Sequence, residues 1–200
     1  QCRAVIESVP NVSEGVRGDV VQALVDAIRG VPNTLLLDST ADPSHNRAVF
    51  TMAGSGNDVL DSLVRLVEVA VARIDLRTHH GVHPRMGAVD VVPFIPIQDA
   101  RLVDCVDLSH RFAAIVAGRF DLPVFLYEAS ASAPHRRRLE DVRRGQFEGL
   151  DRKLLSPGWR PDYGPARPHP TAGALITGAR QPLIAFNIDL ATADVQVARQ

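Results

Sequence analysis

Apolar positions recur along the chain with two alternating periods. Arg3 to Val9 mixes β-branched and small residues ahead of a Pro-Asn break and predicts a first strand. Val21, Leu24, Val25 and Ile28 then fall on one helical face, and Gly30 with Pro32 ends that helix. Leu35 to Leu37 forms a short strand, the polar run Asp38 to Asn46 predicts a rich loop, and Ala48 to Ala53 returns as its hairpin partner. Asn57 is placed to cap a long helix striped by Leu60, Leu63, Val64, Val67, Val71 and Ile74. Ala88 to Ile97 is extended next, with Pro93 and Pro96 demoting its end to an edge or a bulge.

This β-α-β-β-α-β order predicts an α/β (α+β) fold of the ferredoxin-like, split βαβ kind: a mixed sheet with helices packed mainly on one face. Cys105, Leu108, Phe112 and Ile115 mark a third helix, and Val124 to Tyr127 a further strand. Two short basic helices are expected through Arg138 to Arg144 and Phe147 to Leu155, followed by an irregular Pro-rich stretch from Pro157 to Pro170. Ala174 to Gly178 and Leu183 to Asn187 read as closing strands. Beyond them, a strand reaching Leu190 and a helix opened by Thr192 repeat the strand-then-helix opening of the first residues, as the start of a second, related domain would.

Composition removes several classes of function. At 200 residues and 46% hydrophobic content the chain sustains a core, and disorder is excluded for most of it. Lys+Arg 22 against Asp+Glu 23 leaves no general positive field for nucleic acid or an anionic membrane, so any anion must be met by placed groups. Cys2 and Cys105 form neither a disulfide framework nor a zinc spacing, and a cytoplasmic setting is the expectation.

The densest chemistry lies in Thr78-His79-His80-Gly81-Val82-His83-Pro84-Arg85-Met86-Gly87. Pro84 restrains His83 to extended backbone and Gly81 permits a close approach, so this imidazole can be aimed for general acid–base work. Solvated loop histidines are the competing reading. His79 and His83 have the spacing of helical zinc ligands, with Asp90 a conceivable third, but Gly81 and Pro84 oppose the helix this needs. In the hairpin loop, Asp38, Asp42, His45 and Arg47 can orient a substrate carboxylate or polarise His83; ordinary turn chemistry is the alternative. Arg136, Arg137, Arg138, Arg143 and Arg144 can attract a polyanion or form a solvated face. The stiff run Pro161 to Gly173 leaves backbone amides for a ligand or serves as a rigid cover.

The segments Val9 to Gly15, Asn46-Arg47, His83 to Pro96, Val124 to Tyr127, Thr177 to Arg180 and Ala185 to Asn187 occur in the order seen in the glutamate formimidoyltransferases. The chain resembles that family, which also forms half of formimidoyltransferase-cyclodeaminase. The resemblance implies two facing ferredoxin-like subdomains, with residues 1–180 as the N-terminal one and 181–200 as the first strand and helix start of the next. It implies transfer of a formimino group from N-formimino-L-glutamate to tetrahydrofolate in histidine degradation, by a homodimer, with no metal. His83 maps onto the catalytic histidine, and Gly164, Pro165, Pro170 and Gly173 onto the folate-contacting loop. Arg47, Arg85 and Asn46 are the expected substrate-binding residues. Thr40, Val82 and Thr171-Ala172 depart from the family pattern of an acid, a glutamate and a Ser-Trp pair. These departures keep open a non-catalytic ligand-binding relative of the same fold.

Overall fold

The computed structural model describes residues 4–184, 190–192, 194 and 196–197. The strand expected over Leu183–Leu190 and the helix opened by Thr192 fall largely outside the described residues.

Seven strands form one mixed sheet in which β1 (Val5–Ser8) and β2 (Asn11–Val12) are two halves of one broken strand. The order is β3 (Leu35–Asp42), β4 (Arg47–Gly54), β1 with β2, β5 (Val89–Gln98), β7 (Leu175–Ala179), β6 (Val124–Glu128). Pairings from β3 to β5 are antiparallel; β5, β7 and β6 run parallel.

Two strands differ from expectation for identifiable reasons. β3 continues through the polar run to Asp42, so the hairpin loop shrinks to Pro43–Asn46. As an edge strand exposed along its length, β3 has no need of hydrophobic alternation, and its polar residues conceal it. β5 is central despite its prolines. Pro93 faces the break at Val9-Pro10, where no partner awaits an N–H, and Pro96 adjoins the register shift between Val5 and Ile6.

Alternation sorts the side chains onto two faces. Ile6, Val12, Ala48, Phe50, Met52, Val92, Phe94, Val124, Leu126 and Leu175 point to one layer of helices, α1 (Gly18–Arg29), α2 (Gly56–Arg73) and α3 (Leu102–Phe120). Phe94 meets Phe112 edge-on at 5.8 Å in that core. The cap of α2 is Ser55 rather than Asn57: its hydroxyl accepts the Asp58 amide at 3.4 Å.

The opposite face is covered only in part. Val91, Phe125, Tyr127 and Ile176 pack against Val142, Leu150 and Leu154 of α4 (Leu139–Arg143) and α5 (Leu150–Leu155). Arg136 belongs to this layer and is 5% exposed, not part of a solvated basic face. It donates to Asp162 at 2.8 Å and to the carbonyls of Gly158 and Arg160, both at 2.6 Å, which fastens the Pro-rich stretch to the sheet. The remaining half of this face, over β1 to β4, carries the half-buried or exposed Asn11, Thr40, Asp42, Arg47, Val49 and Thr51.

Glycines fix how the strand starts approach one another. A Cβ on Gly87 would lie 1.9 Å from the Ala174 carbonyl oxygen, and one on Gly173, where φ is +69°, 2.2 Å from that of Met86. Gly118, by contrast, has open space at its Cβ position inside α3. Gly87→Ala is therefore expected to abolish cooperative folding, whereas Gly118→Ala raises stability by about 0.5–1 kcal/mol. Chemical denaturation of both variants checks the pair.

Candidate active site

The chemistry collects at one end of the sheet, where β2 ends, β4, β5 and β7 begin, and the β3–β4 loop and the loop after α2 meet. Asn46, with φ +47°, is the joint. Its Oδ1 accepts the Gly15 amide at 2.9 Å, its Nδ2 donates to the His80 carbonyl at 2.8 Å, and its own carbonyl contacts His79 Nε2 at 2.9 Å. Val82 N donates to Ser44 O at 3.3 Å, and a Cβ on Gly81 would lie 2.4 Å from the His45 carbonyl oxygen. The two loops thus touch through backbone, which aims His83 toward the hairpin. Its ring stands edge-on to that of His45 at 6.5 Å between centroids.

Glu14, 2% exposed, secures the other side of the joint. Its carboxylate accepts the amides of Val16 at 3.0 Å and Arg17 at 2.8 Å, opening α1, and pairs with the Arg17 guanidinium. A cleft of about 330 Å³, lined by Glu14, Arg17, Asn46, Asp75, His79 and His80, lies beside the joint. His83 is not on its wall.

Two arginines and two further imidazoles act on His83. Burial first, then Arg47, Arg143, His45 and His79, push its imidazole down to about 4, so it is neutral at physiological pH and able to accept a proton. Arg143 is held there by Asp90, its Nη2 2.7 Å from Oδ2, while the other carboxylate oxygen accepts the Met86 amide at 2.6 Å. Burial raises Asp90 above the ordinary carboxylate range, against the pull of Arg143. Arg47 begins β4 opposite Asp42, and among the described residues its guanidinium has no hydrogen-bond or ion-pair partner.

The expected site residues separate into groups. His83 and Arg47 come together, with Asn46 bracing both loops. Arg85 is buried: it holds Glu148 through Nη2 at 2.7 Å and Nη1 at 3.0 Å, and donates through Nε to His79 Nδ1 at 3.2 Å. Gly164 lies at the α3–β6 turn, where a Cβ would meet the Leu122 carbonyl oxygen at 2.3 Å, and Pro165 follows it half-buried. Gly173 packs beside Gly87, with Pro170 exposed nearby. Ala172 is buried against the same strand start, its carbonyl accepting the Ala88 amide at 3.0 Å.

Sequence reasoning missed Glu14, Glu148 and the Asp90–Arg143 pair as partners of this site. A carboxylate flanked by apolar residues, as Asp90 is in Ala-Val-Asp-Val-Val, is the signal that a buried counter-charge must exist. Among the described residues no three His, Cys, Asp or Glu side chains are grouped to hold a metal ion, and no helix is long and apolar enough to cross a membrane.

The fold is a mixed α/β sheet with helices, carrying a neutral imidazole near two arginines and two further imidazoles at one end. Residues 5–180 match the profile of the formiminotransferase domain, N-terminal subdomain, and the chain belongs to that family. It is 45% identical over 196 residues to the glutamate formimidoyltransferase of Streptococcus pyogenes serotype M1, covering 98% of this chain and 66% of that one. It is 42% identical over 194 residues to the formimidoyltransferase-cyclodeaminase of Rattus norvegicus, covering 97% and 36% respectively. The glutamate formimidoyltransferase of Thermoplasma acidophilum is 37% identical over 199 residues, 98% of this chain and 65% of its own. The chain thus spans just under two thirds of the transferases and about a third of the bifunctional relative.

Because His83 binds its proton more weakly in the folded chain than at the ordinary histidine value near ~6.5, the unfolded chain takes up more protons between about pH 4 and ~6.5. The contribution of His83 to stability is therefore present above ~6.5 and lost as pH falls through 4. His83→Asn should lessen the acid loss of stability in that window and leave stability above pH 7 little changed. Urea melts at pH 4.5 and 7.5 measure this; equal losses in both proteins would refute it.

Proposed function

We propose that this chain supplies the catalytic half of a formimidoyltransferase, moving the formimino group of N-formimino-L-glutamate to tetrahydrofolate, with His83 as general acid–base. The observation that carries the reading is the neutral His83 imidazole acted on by the Arg47 guanidinium, which has no hydrogen-bond or ion-pair partner among the described residues. A substrate with two carboxylates fits a site whose charges are cationic and placed, in a chain with a formal net charge of -1. The names of the relatives support the same reaction.

His83 takes the proton that leaves the attacking folate amine as the new C–N bond forms at the formimino carbon. A proton returned to the glutamate nitrogen lets the old C–N bond break, and glutamate departs. No net proton is gained or lost by the protein. Arg47 meets a glutamate carboxylate, and a bidentate guanidinium–carboxylate pair fixes orientation as well as affinity. Burial first and then the neighbouring arginines depress His83; a seated carboxylate offsets only the arginines' part, and to that extent the imidazole becomes a stronger base. Asn46 and Arg85 act through position: Asn46 joins the loops, and Arg85, already bound to Glu148, steadies His79.

The ferredoxin-like reading of the fold is supported by the order β3–β4–β1/β2–β5 with α1 and α2 on one face. The two added parallel strands, β6 and β7, carry the Pro-rich stretch that we assign to the folate through Gly164, Pro165, Pro170 and Gly173. Residues 181–200 are read as opening a second subdomain, in keeping with the greater length of the relatives and with the half-covered sheet face over β1 to β4. A cytoplasmic homodimer is the matching assembly.

In the full-length protein, His83→Ala should lower kcat about 10²–10⁴-fold, the range for loss of a general acid–base. Arg47→Gln should act chiefly on KM for formiminoglutamate. A full-length protein that binds no tetrahydrofolate by calorimetry and transfers no formimino group would overturn the proposal in favour of a non-catalytic relative.

A further inference from the structure

A second imidazole faces His83, and its setting is opposite in kind. We propose that His45, oriented by Asp42, is the group that protonates the departing nitrogen, leaving His83 to act as the base. This rests on the transfer reading above.

The hairpin loop locks Asp42 before it meets His45. Its Oδ1 accepts the Ser44 amide and hydroxyl, both at 2.8 Å, and the His45 amide at 3.1 Å. Its Oδ2 contacts His45 Nδ1. The His45 amide first, then the Ser44 hydroxyl and the His45 ring, hold the Asp42 carboxyl well below the usual carboxylate range, so it stays anionic. An Nδ1–H donated to that carboxylate fixes the ring and leaves Nε2 as the working nitrogen. An imidazolium at this position has its counter-charge in contact.

His83 has the converse surroundings. The charged and titratable groups around the pair are Asp42 from β3, Arg47 from β4, His79 from the loop after α2 and Arg143 from α4. Only His45 has a carboxylate against its ring; those acting on His83 are cationic or imidazole. One imidazole with a carboxylate in contact and one with guanidinium neighbours can divide acid and base work between them. With centroids 6.5 Å apart, the two rings can face the two nitrogens of one reacting centre, the attacking amine at His83 and the departing nitrogen at His45.

The proton count closes. His83 accepts one proton from the attacking amine as its nitrogen bonds to the formimino carbon. His45 gives one from Nε2 to the glutamate nitrogen as the old C–N bond breaks. The neutral His45 and protonated His83 that remain are restored by passing one proton from His83 to His45, through the gap or through solvent. Thr40, exposed on β3, contributes no acid to this arrangement, whereas Asp42, two residues further on and on the same face of the strand, does.

The test compares the full-length unmodified protein with His45→Gln, Asp42→Asn and His83→Ala, measuring kcat and KM for formimino transfer across pH 5–9. The expected result for His45→Gln is a kcat loss of about 10–100-fold with KM changed less than about threefold, and disappearance of the alkaline fall in kcat. Asp42→Asn should lose less, with that alkaline limb moved to lower pH, a change that mere loosening of the loop would not produce. Unchanged pH profiles in both variants, with the unmodified protein active, would overturn this inference alone. Absence of transfer by the unmodified protein would overturn the transfer reading and this one with it.

Discussion

Two glycines facing two carbonyls decide where everything else at this end of the sheet can lie. Gly87 and Gly173 sit where any side chain would strike the backbone of Ala174 and Met86, so the starts of β5 and β7 press together without intervening atoms. Ala174 N donates to Met86 O at 3.1 Å across that seam, and Ser13 Oγ donates to Gly87 O at 2.7 Å from the other side. The chain entering β5 is thus fixed on both flanks. His83, four residues earlier, inherits its position from that anchorage and from the backbone contacts of Gly81 and Asn46.

The electrostatics follow from the same geometry. Met86 donates its amide to Asp90 at the foot of β5, Asp90 retains Arg143, and Arg143 helps keep His83 unprotonated. A buried ion pair of this kind adds little net stability, because desolvation offsets attraction. Its consequence is placement of a charge. The chain as a whole is almost neutral, and the charges at the site are placed in pairs: Glu14, Asp90 and Glu148 are each bound to an arginine and Asp42 to His45, while among the described residues the Arg47 guanidinium has no hydrogen-bond or ion-pair partner.

Much of this was legible before any coordinates. Helical stripes such as Leu60-Leu63-Val64-Val67 bury one face wherever the fold places them, so α1 to α3 are placed to within a few residues. The His83 loop announces itself by residue type. What stayed hidden depended on partners distant in sequence. The polar residues of β3 resemble a loop because an exposed edge needs no alternation, and Pro93 resembles a breaker because its missing donor faces a gap made by Val9-Pro10. Arg136 reads as part of a basic run and Arg85 as a substrate-binding residue, whereas their bonds to Asp162 and Glu148, 26 and 63 residues away, hold them buried. Asp42 and His45 are three residues apart, and the turn bonds from the Asp42 carboxylate to Ser44 and to the His45 amide bring it onto the imidazole.

Burial first, and then the neighbouring Arg47 and Arg143, hold the His83 proton off, and we propose that an anionic substrate seated on Arg47 relieves the second of these. The most direct test is the proton uptake that accompanies binding of a stable glutamate analogue, N-formyl-L-glutamate, measured by calorimetry at pH 6 in buffers of different ionisation enthalpy. Net proton uptake on binding is expected, abolished in His83→Asn with binding retained. Binding with no buffer dependence, or uptake unchanged by that substitution, would contradict it.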